Sequence, residues 1–295
     1  MTVLVTGGAG YIGSHMVYAL VAAGERAVVL DNLSTGFDWA VAGNVPLIVG
    51  ETGDQNLVST IIKEHGVEAI IHFAASIVVP DSVADPLGYY RNNTVNSRAL
   101  IECAVKGGVK HFIFSSTATL IRCVAHGLKH VILRYFNVAG ADPEGRTGQS
   151  TKGATHLIKV AVETALAKRA KMDIFGTDYP TPDGTCVRDY IHVNDLTAAH
   201  LDALRYLRAG GASITANCGY GRGYSVREVI DTVKQVSGVD FRVDLSSPRA
   251  GDPAQIVASS DRARAVLGWK PQRDHLPTIV AHALGWERKL TTRNA

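Results

Sequence analysis

The stretch "TVLVTGGAGYIGSH", residues 2–15, sets the architecture of the chain. A short β-rich run ends in glycines and passes directly into "IGSHMVYALVAAG" (12–24), whose apolar residues recur at helical spacing up to a stop at Gly24. The same alternation continues outward. "RAVVLD" (26–31), "VPLIVGE" (45–51), "VEAIIHFAA" (67–75), "HFIFSST" (111–117) and "HVILRYF" (130–136) read as strands. "LVSTIIKEH" (57–65) and the long "YYRNNTVNSRALIECAVKGG" (89–108) read as helices. Strands that are apolar on both faces and alternate with helices predict a parallel sheet covered on both sides. The fold class is α/β, a doubly wound parallel sheet.

The glycines carry the first chemistry. Gly7, Gly10 and Gly13 stand in a G-x-x-G-x-x-G spacing between strand and helix. Gly7 permits a tight turn, Gly10 lets the backbone approach a pyrophosphate, and Gly13 lets the helix pack close to the strand. A diphosphate there would sit on the free N–H groups of the helix N-terminus. Asp31 ends the second strand, where a carboxylate accepts from a ribose 2′-hydroxyl and repels a 2′-phosphate, which favours NAD over NADP.

Composition narrows the rest. The 295 residues allow one or two domains, and a 46% hydrophobic, 19% charged composition is that of an ordinary globular protein. A net charge of +3 without a dense Lys/Arg run argues against nucleic acid as a partner. The apolar run 67–79 is interrupted by Glu68 and His72, so no membrane span is expected. The first residues read as strand and turn, not as a signal peptide. Cys103, Cys123, Cys186 and Cys218 lie far apart, as expected of reduced, buried thiols in a cytoplasmic protein. No His/Cys/Asp set has metal-ligand spacing.

With these residues in place, the chain resembles the extended short-chain dehydrogenase/reductase family, and within it the branch that inverts C4 of UDP-hexoses. The resemblance is carried by "VLVTGGAGYIGSH", "VVLDNLSTG", "IIHFAA", "DPLGYYRNNTVNS", "FIFSSTAT", "LRYFNVAGADP", "IFGTDYPTPDGTCVRDYIHVNDL" and "LGWKP". The run from Ile174 to Leu196 is the most specific. The resemblance implies a Rossmann-like NAD domain over residues 1–140 and, over 141–295, mostly a smaller UDP-sugar-binding lobe with segments returning to the first domain. It assigns the cofactor to Gly7, Gly10, Tyr11, Ile12, Gly13, Asp31, Asn32, Glu51, Thr52, Phe73, Ala74, Ala75, Asn92, Ser115 and Phe136. It assigns the UDP-sugar to Asn137, Thr155, His156, Leu157, Asp173, Ile174, Phe175, Arg188, Tyr190, Arg249 and Asp252. Arginine forks suit a diphosphate because they bind its oxygens in pairs. Two positions depart from the family: Glu51 replaces the usual aspartate beside the adenine, and Ile77 replaces a lysine that touches the cofactor in some members.

The implied reaction is an oxidation and re-reduction at C4 with tightly bound NAD. Hydride leaves C4, the 4-hydroxyl gives up its proton, the 4-ketose turns about its phosphate bond, and hydride returns to the other face. Thr117 would hold the 4-hydroxyl. Ala118 and Thr119 replace the acidic pair of related dehydratases, which favours epimerisation.

The family's base, a tyrosine followed four residues later by lysine, is absent. None of the ten tyrosines has Lys at that position. The segment "TATLIRCVAHGLK" (117–129) also leaves barely enough residues for a crossover between two parallel strands. A few tens of residues would be missing between Leu120 and Ile121. Either the molecule carries a segment that this sequence omits, or the segment has been deleted. Intact mass against 31.4 kDa separates the two. Three other readings stay open: a related UDP-sugar epimerase, a UDP-sugar decarboxylase, or a catalytically dead protein that holds NAD or UDP-sugar. The family pairs as a homodimer through two helices, one here at 92–107 and the other in the absent segment.

Overall fold

The computed structural model describes residues 1–115, 127–249 and 251–293. The stretch from Ser116 to His126, with Thr117 and the apparent junction at 120/121, lies outside the described residues. The chain divides into two compact units, Met1–Arg134 with Ala199–Ala216, and Tyr135–Ala198 with Asn217–Ala295.

The first unit is built on β1 (Thr2–Thr6), α1 (Tyr11–Ala22), β2 (Arg26–Asp31), β3 (Leu47–Val49), α2 (Gln55–His65) and β4 (Val67–His72). It continues through α3 (Val79–Ala84), α4 (Pro86–Tyr90), α5 (Ser97–Lys106), β5 (His111–Ser115) and β6 (Lys129–Arg134). Together with β11 (Ile214–Asn217), the strands form one seven-stranded sheet in the order β11-β6-β5-β4-β1-β2-β3. The pairs β1·β2, β1·β4, β2·β3, β4·β5 and β5·β6 are all parallel, as the apolar strands predict. Both faces are buried. Leu4, Val28, Leu30, Ile70, Phe112 and Phe114 pack with α2 and α5. The alternate residues Val3, Val5, Val29, Ile71 and Ile113 are fully buried as well.

β1 lies between β2 and β4, so the chain reverses its direction of progress across the sheet there. Such a reversal opens a crevice at the carboxyl ends of the two central strands, where ligands of doubly wound sheets bind.

The helix expected over 89–108 is present but changes its winding partway. A π-helical stretch, Arg91–Asn96, separates α4 from α5. The wider turn places Asn92 and Asn93 against one residue: Asn92 Nδ2 donates to Ser76 Oγ (2.8 Å), Ser76 N donates to Asn93 Oδ1 (2.7 Å), and Asn93 Nδ2 donates to Ser76 O (2.8 Å). Single π turns of this kind recur at functional sites.

The second unit holds β7 (Asn137–Ala139), α6 (Leu157–Ala165), β8 (Met172–Phe175), β9 (Val187–Arg188), β10 (Tyr190–His192) and the start of α7 (Val193–Arg208). It continues with β12 (Tyr224–Ser225), α8 (Val226–Ser237), β13 (Val243–Ser246), β14 (Gln255–Ile256), α9 (Asp261–Leu267) and α10 (Leu276–Arg293). Three small sheets pair β7 with β10, β8 with β13, and β9 with both β12 and β14. Ile158, Val162, Met172, Ile174, Tyr190, Val229 and Ile279 lie in its core. A capping box starts α8, with Ser225 and Glu228 each bonded to the other's backbone N–H. Buried Glu287 of α10 accepts from Lys159 and Lys168, tying the last helix to α6 and the residues after it.

Candidate active site

In the first unit the candidate cofactor residues gather at the carboxyl edge of the sheet. Gly7 adopts φ +72°, and a Cβ there would lie 2.7 Å from Ala74 N and 2.9 Å from Phe73 C. The turn therefore abuts the loop Phe73–Ala75, which Phe73 N fixes by donating to Thr6 O (2.9 Å). At Gly13 a Cβ would fall 2.0 Å from Gly7 O, so strand and helix meet too closely for any side chain.

Gly10 is different. Its φ of −77° is open to any residue, and a Cβ would meet only Gly7 O, at 3.3 Å. The protein itself needs little from this glycine. The space over it suits a backbone that must approach a ligand. Gly10 is also the N-cap of α1 and makes no side-chain cap, and no acidic residue occupies the first turn. The start of α1 is therefore closed by neither a side-chain cap nor an acid, the setting in which a helix N-terminus favours an anion.

Asp31 sits beside this turn. Its carboxylate accepts from Ala9 N (2.9 Å) and Leu33 N (2.8 Å), which fixes the glycine loop to the end of β2 and still leaves lone pairs for a diol. Asn32 Nδ2 donates to Glu51 Oε1 (3.1 Å), placing the longer acid alongside, and Thr52 is buried next to it in sequence. Glycines, Asp31, Asn32 and Glu51 thus form one continuous lip, a donor and acceptor set that fits a dinucleotide.

Ser115 ends β5 with its hydroxyl 2.7 Å from Nε2 of the fully buried His200, whose ring tilts against Phe73 at 4.9 Å. Beneath the edge, buried His72 lies 2.6 Å from Thr6 Oγ1 and 2.9 Å from Ser97 Oγ. Burial pushes its imidazole down to about 4, so it is neutral at pH 7. Ile77 is exposed.

The second unit brings four of the candidate nucleotide residues, Phe175, Arg188, Arg249 and Asp252, into one cluster. The Arg249 guanidinium lies over the Phe175 ring at 4.0 Å, and Asp252 N donates back to Arg249 O across a turn (3.3 Å). Arg188 Nη2 donates to Asp252 Oδ1 (3.0 Å), so that arginine's carboxylate is Asp252, not its neighbours Asp189 or Asp195. Tyr190 and Asn137 are register partners in β10 and β7 and share a side-chain hydrogen bond. Asp173 accepts from Lys171 and Ser246, both at 3.2 Å, while Ile174 points into the core and offers a ligand only main chain. Thr155 and His156 are exposed and precede α6, whose N-cap His156 makes no side-chain cap. Phe136 is also exposed.

Four tyrosines are shifted away from the range of a general base. Burial pushes the phenols of Tyr11, Tyr190 and Tyr220 far up, and Tyr179 is also raised. Among the described residues, no cluster of His, Cys, Asp or Glu could hold a metal ion, and no helix is long and apolar enough to cross a membrane.

The sequence reading missed Asn93, His72, His200 and Asp189. Asn93 was within reach, since it follows Asn92 directly. The roles of the other three depend on partners distant in the chain.

A doubly wound sheet with a glycine turn, an open helix N-terminus and an acid at the second strand defines a dinucleotide-binding α/β protein. Comparison with known proteins sharpens this. The model of the NAD dependent epimerase/dehydratase family matches residues 3–124 and 119–219. A UDP-glucose 4-epimerase of Azospirillum brasilense is 50% identical, with 98% of this chain and 92% of that protein covered. The structure of UDP-glucose 4-epimerase from Brucella ovis in complex with NAD is 36% identical, with a TM-score of 0.92 over 96% of this chain and 97% of that one. That from Bifidobacterium longum, in complex with NAD+ and UDP, is 31% identical, with a TM-score of 0.91 over 98% of each. The chain belongs to the NAD dependent epimerase/dehydratase family.

The same comparisons bear on the length of the chain. The family match comes in two pieces that meet at 119–124, and the Azospirillum comparison runs over 321 positions although this chain has 295 residues. The relative carries residues that this chain does not, and the two family matches overlap at residues 119–124.

Proposed function

We propose that this chain is an NAD-dependent epimerase that inverts C4 of a UDP-hexose, interconverting UDP-galactose and UDP-glucose. The observation that carries the reading is the pairing, in one chain, of two recognition sets. One is the Gly10–Asp31 lip of the first unit, and the other is the Arg188–Asp252–Arg249–Phe175 cluster of the second. Its likeness to named UDP-glucose 4-epimerases along nearly its whole length supports it further.

Bound NAD supplies a reversible hydride acceptor. The protein's own residues do the rest. The first N–H groups of α1 take the pyrophosphate, and Asp31 accepts from a ribose diol. Phe175 offers a face to the uracil, while Arg188 and Arg249 neutralise the diphosphate, with Asp252 turned toward the ribose. Tight grip on the nucleotide with few holds on the hexose leaves the sugar free to turn. Residues 1–140 serve as cofactor domain and 141–295 mostly as substrate lobe. We place the protein in the cytoplasm, in galactose metabolism, as a homodimer built on the 92–107 region.

One observation favours a second reading. The sequence holds no tyrosine with a lysine four residues on, which removes the family's proton acceptor. The alternative is a protein that holds NAD and UDP-sugar without turnover. Incubation with UDP-galactose decides between them: UDP-glucose formation supports the epimerase, and bound NAD and UDP without conversion establish the binding protein.

A further inference from the structure

The buried carboxylate of Asp189 belongs to no candidate set, yet it stands between two residues that do, Arg188 and Tyr190. It is 2% exposed. Its Oδ1 accepts from Tyr220 N (3.1 Å), and its Oδ2 accepts from Gly221 N (3.0 Å) and Ala258 N (3.3 Å). One side chain thus gathers three backbone N–H groups from two segments distant in sequence. The fit is close, because a Cβ on Gly219 would fall 2.6 Å from Oδ2.

The two segments explain why this matters. β9 is only two residues long and is held by β12 on one side and β14 on the other. Past its end, Asp189 N donates to Ile256 O (3.1 Å), and the side chain then catches Ala258 N beyond β14. The loop that leads into β14 carries Arg249 and Asp252, and Asp252 is the partner of Arg188. The Asp189 carboxylate thus ties the strand of one arginine to the far side of the loop that presents the other. Burial pushes this carboxyl above its ordinary range, against the three backbone N–H groups, which act to lower it.

We infer that Asp189 is the positioning residue of the uridine diphosphate site: it sets Arg188, Arg249 and Asp252 in register for a nucleoside diphosphate without touching it. The inference rests on the functional reading above.

The test is calorimetric titration of the NAD-loaded protein with UDP. Asp189→Asn keeps the volume but turns an amide N–H toward backbone donors, and it should weaken UDP roughly ten-fold or more. The KM for UDP-galactose should rise by the same factor, with kcat held within about two-fold. Trp269→Phe is the matched control. It removes an indole N–H bond to Asp195 O (2.8 Å) in the same unit and should lower the melting temperature while leaving UDP affinity within about two-fold. Should Asp189→Asn fail to fold, Gly219→Ala displaces the same carboxylate and should show the same selective loss. Unchanged UDP affinity in the Asp189 or Gly219 variant, or an equal loss in Trp269→Phe, overturns the inference. Wild-type protein that binds no UDP overturns the functional reading, and the inference with it.

Discussion

The two units build their candidate sites by different means. In the first, the site is main chain: tightly approached glycines, a helix start without a side-chain cap, and one acid bound to backbone. In the second, it is side chain: two arginines, an aromatic ring and a carboxylate, presented from short strands and a loop. A main-chain site is intolerant where its turn is packed, because an added atom at Gly7 or Gly13 meets backbone. A side-chain site is adjustable and depends on whatever holds its loops in register. The packed glycines of the first should fail by misfolding, and the side chains of the second by weakened binding.

The largest effect should come from Gly13→Ala. Its methyl would lie 2.0 Å from Gly7 O, so thermal unfolding should show a loss of about 3 kcal/mol or more, and bound NAD should be lost. Arg188→Ala should leave the melting temperature nearly unchanged and weaken UDP roughly 100-fold by calorimetry. A severe stability loss in Arg188→Ala would break the contrast between the units.

Acid should strike the first unit next. His72 is buried and neutral, with a folded pKa of about 4 against an ordinary 6.5. The unfolded chain therefore gains a proton that the folded chain refuses, and stability falls as pH drops from about 6.5 toward 4. The loss is on the order of 3 kcal/mol, and it should shrink in His72→Gln when unfolding midpoints are followed against pH.

The smallest change sharpens the comparison most. Gly10→Ala should alter stability by no more than about 0.5 kcal/mol, since its φ is ordinary and the nearest contact is 3.3 Å. NAD retention should still fall roughly ten-fold, because the methyl occupies space meant for the pyrophosphate. Gly10 and Gly13 would then separate a ligand's glycine from a packing glycine within one turn.

This division also explains what was legible in the sequence. Strands buried on both faces announce a parallel sheet, and a main-chain site announces itself through glycines and one acid at fixed offsets. The π turn was hidden because "NNTVNSRAL" keeps a helical rhythm through Arg91–Asn96. Asp189 was hidden because its partners lie 31, 32 and 69 residues away, and no local pattern encodes such a node. The pairing of β5 with β6 was legible for the opposite reason: two apolar runs close in the chain read as parallel neighbours, as the structure has them.

The most direct measurement is conversion of UDP-galactose by purified protein whose intact mass has been recorded beside the 31.4 kDa of this sequence. The account predicts UDP-glucose, with NAD retained through turnover. Protein that keeps NAD, binds UDP and leaves UDP-galactose unchanged would contradict it.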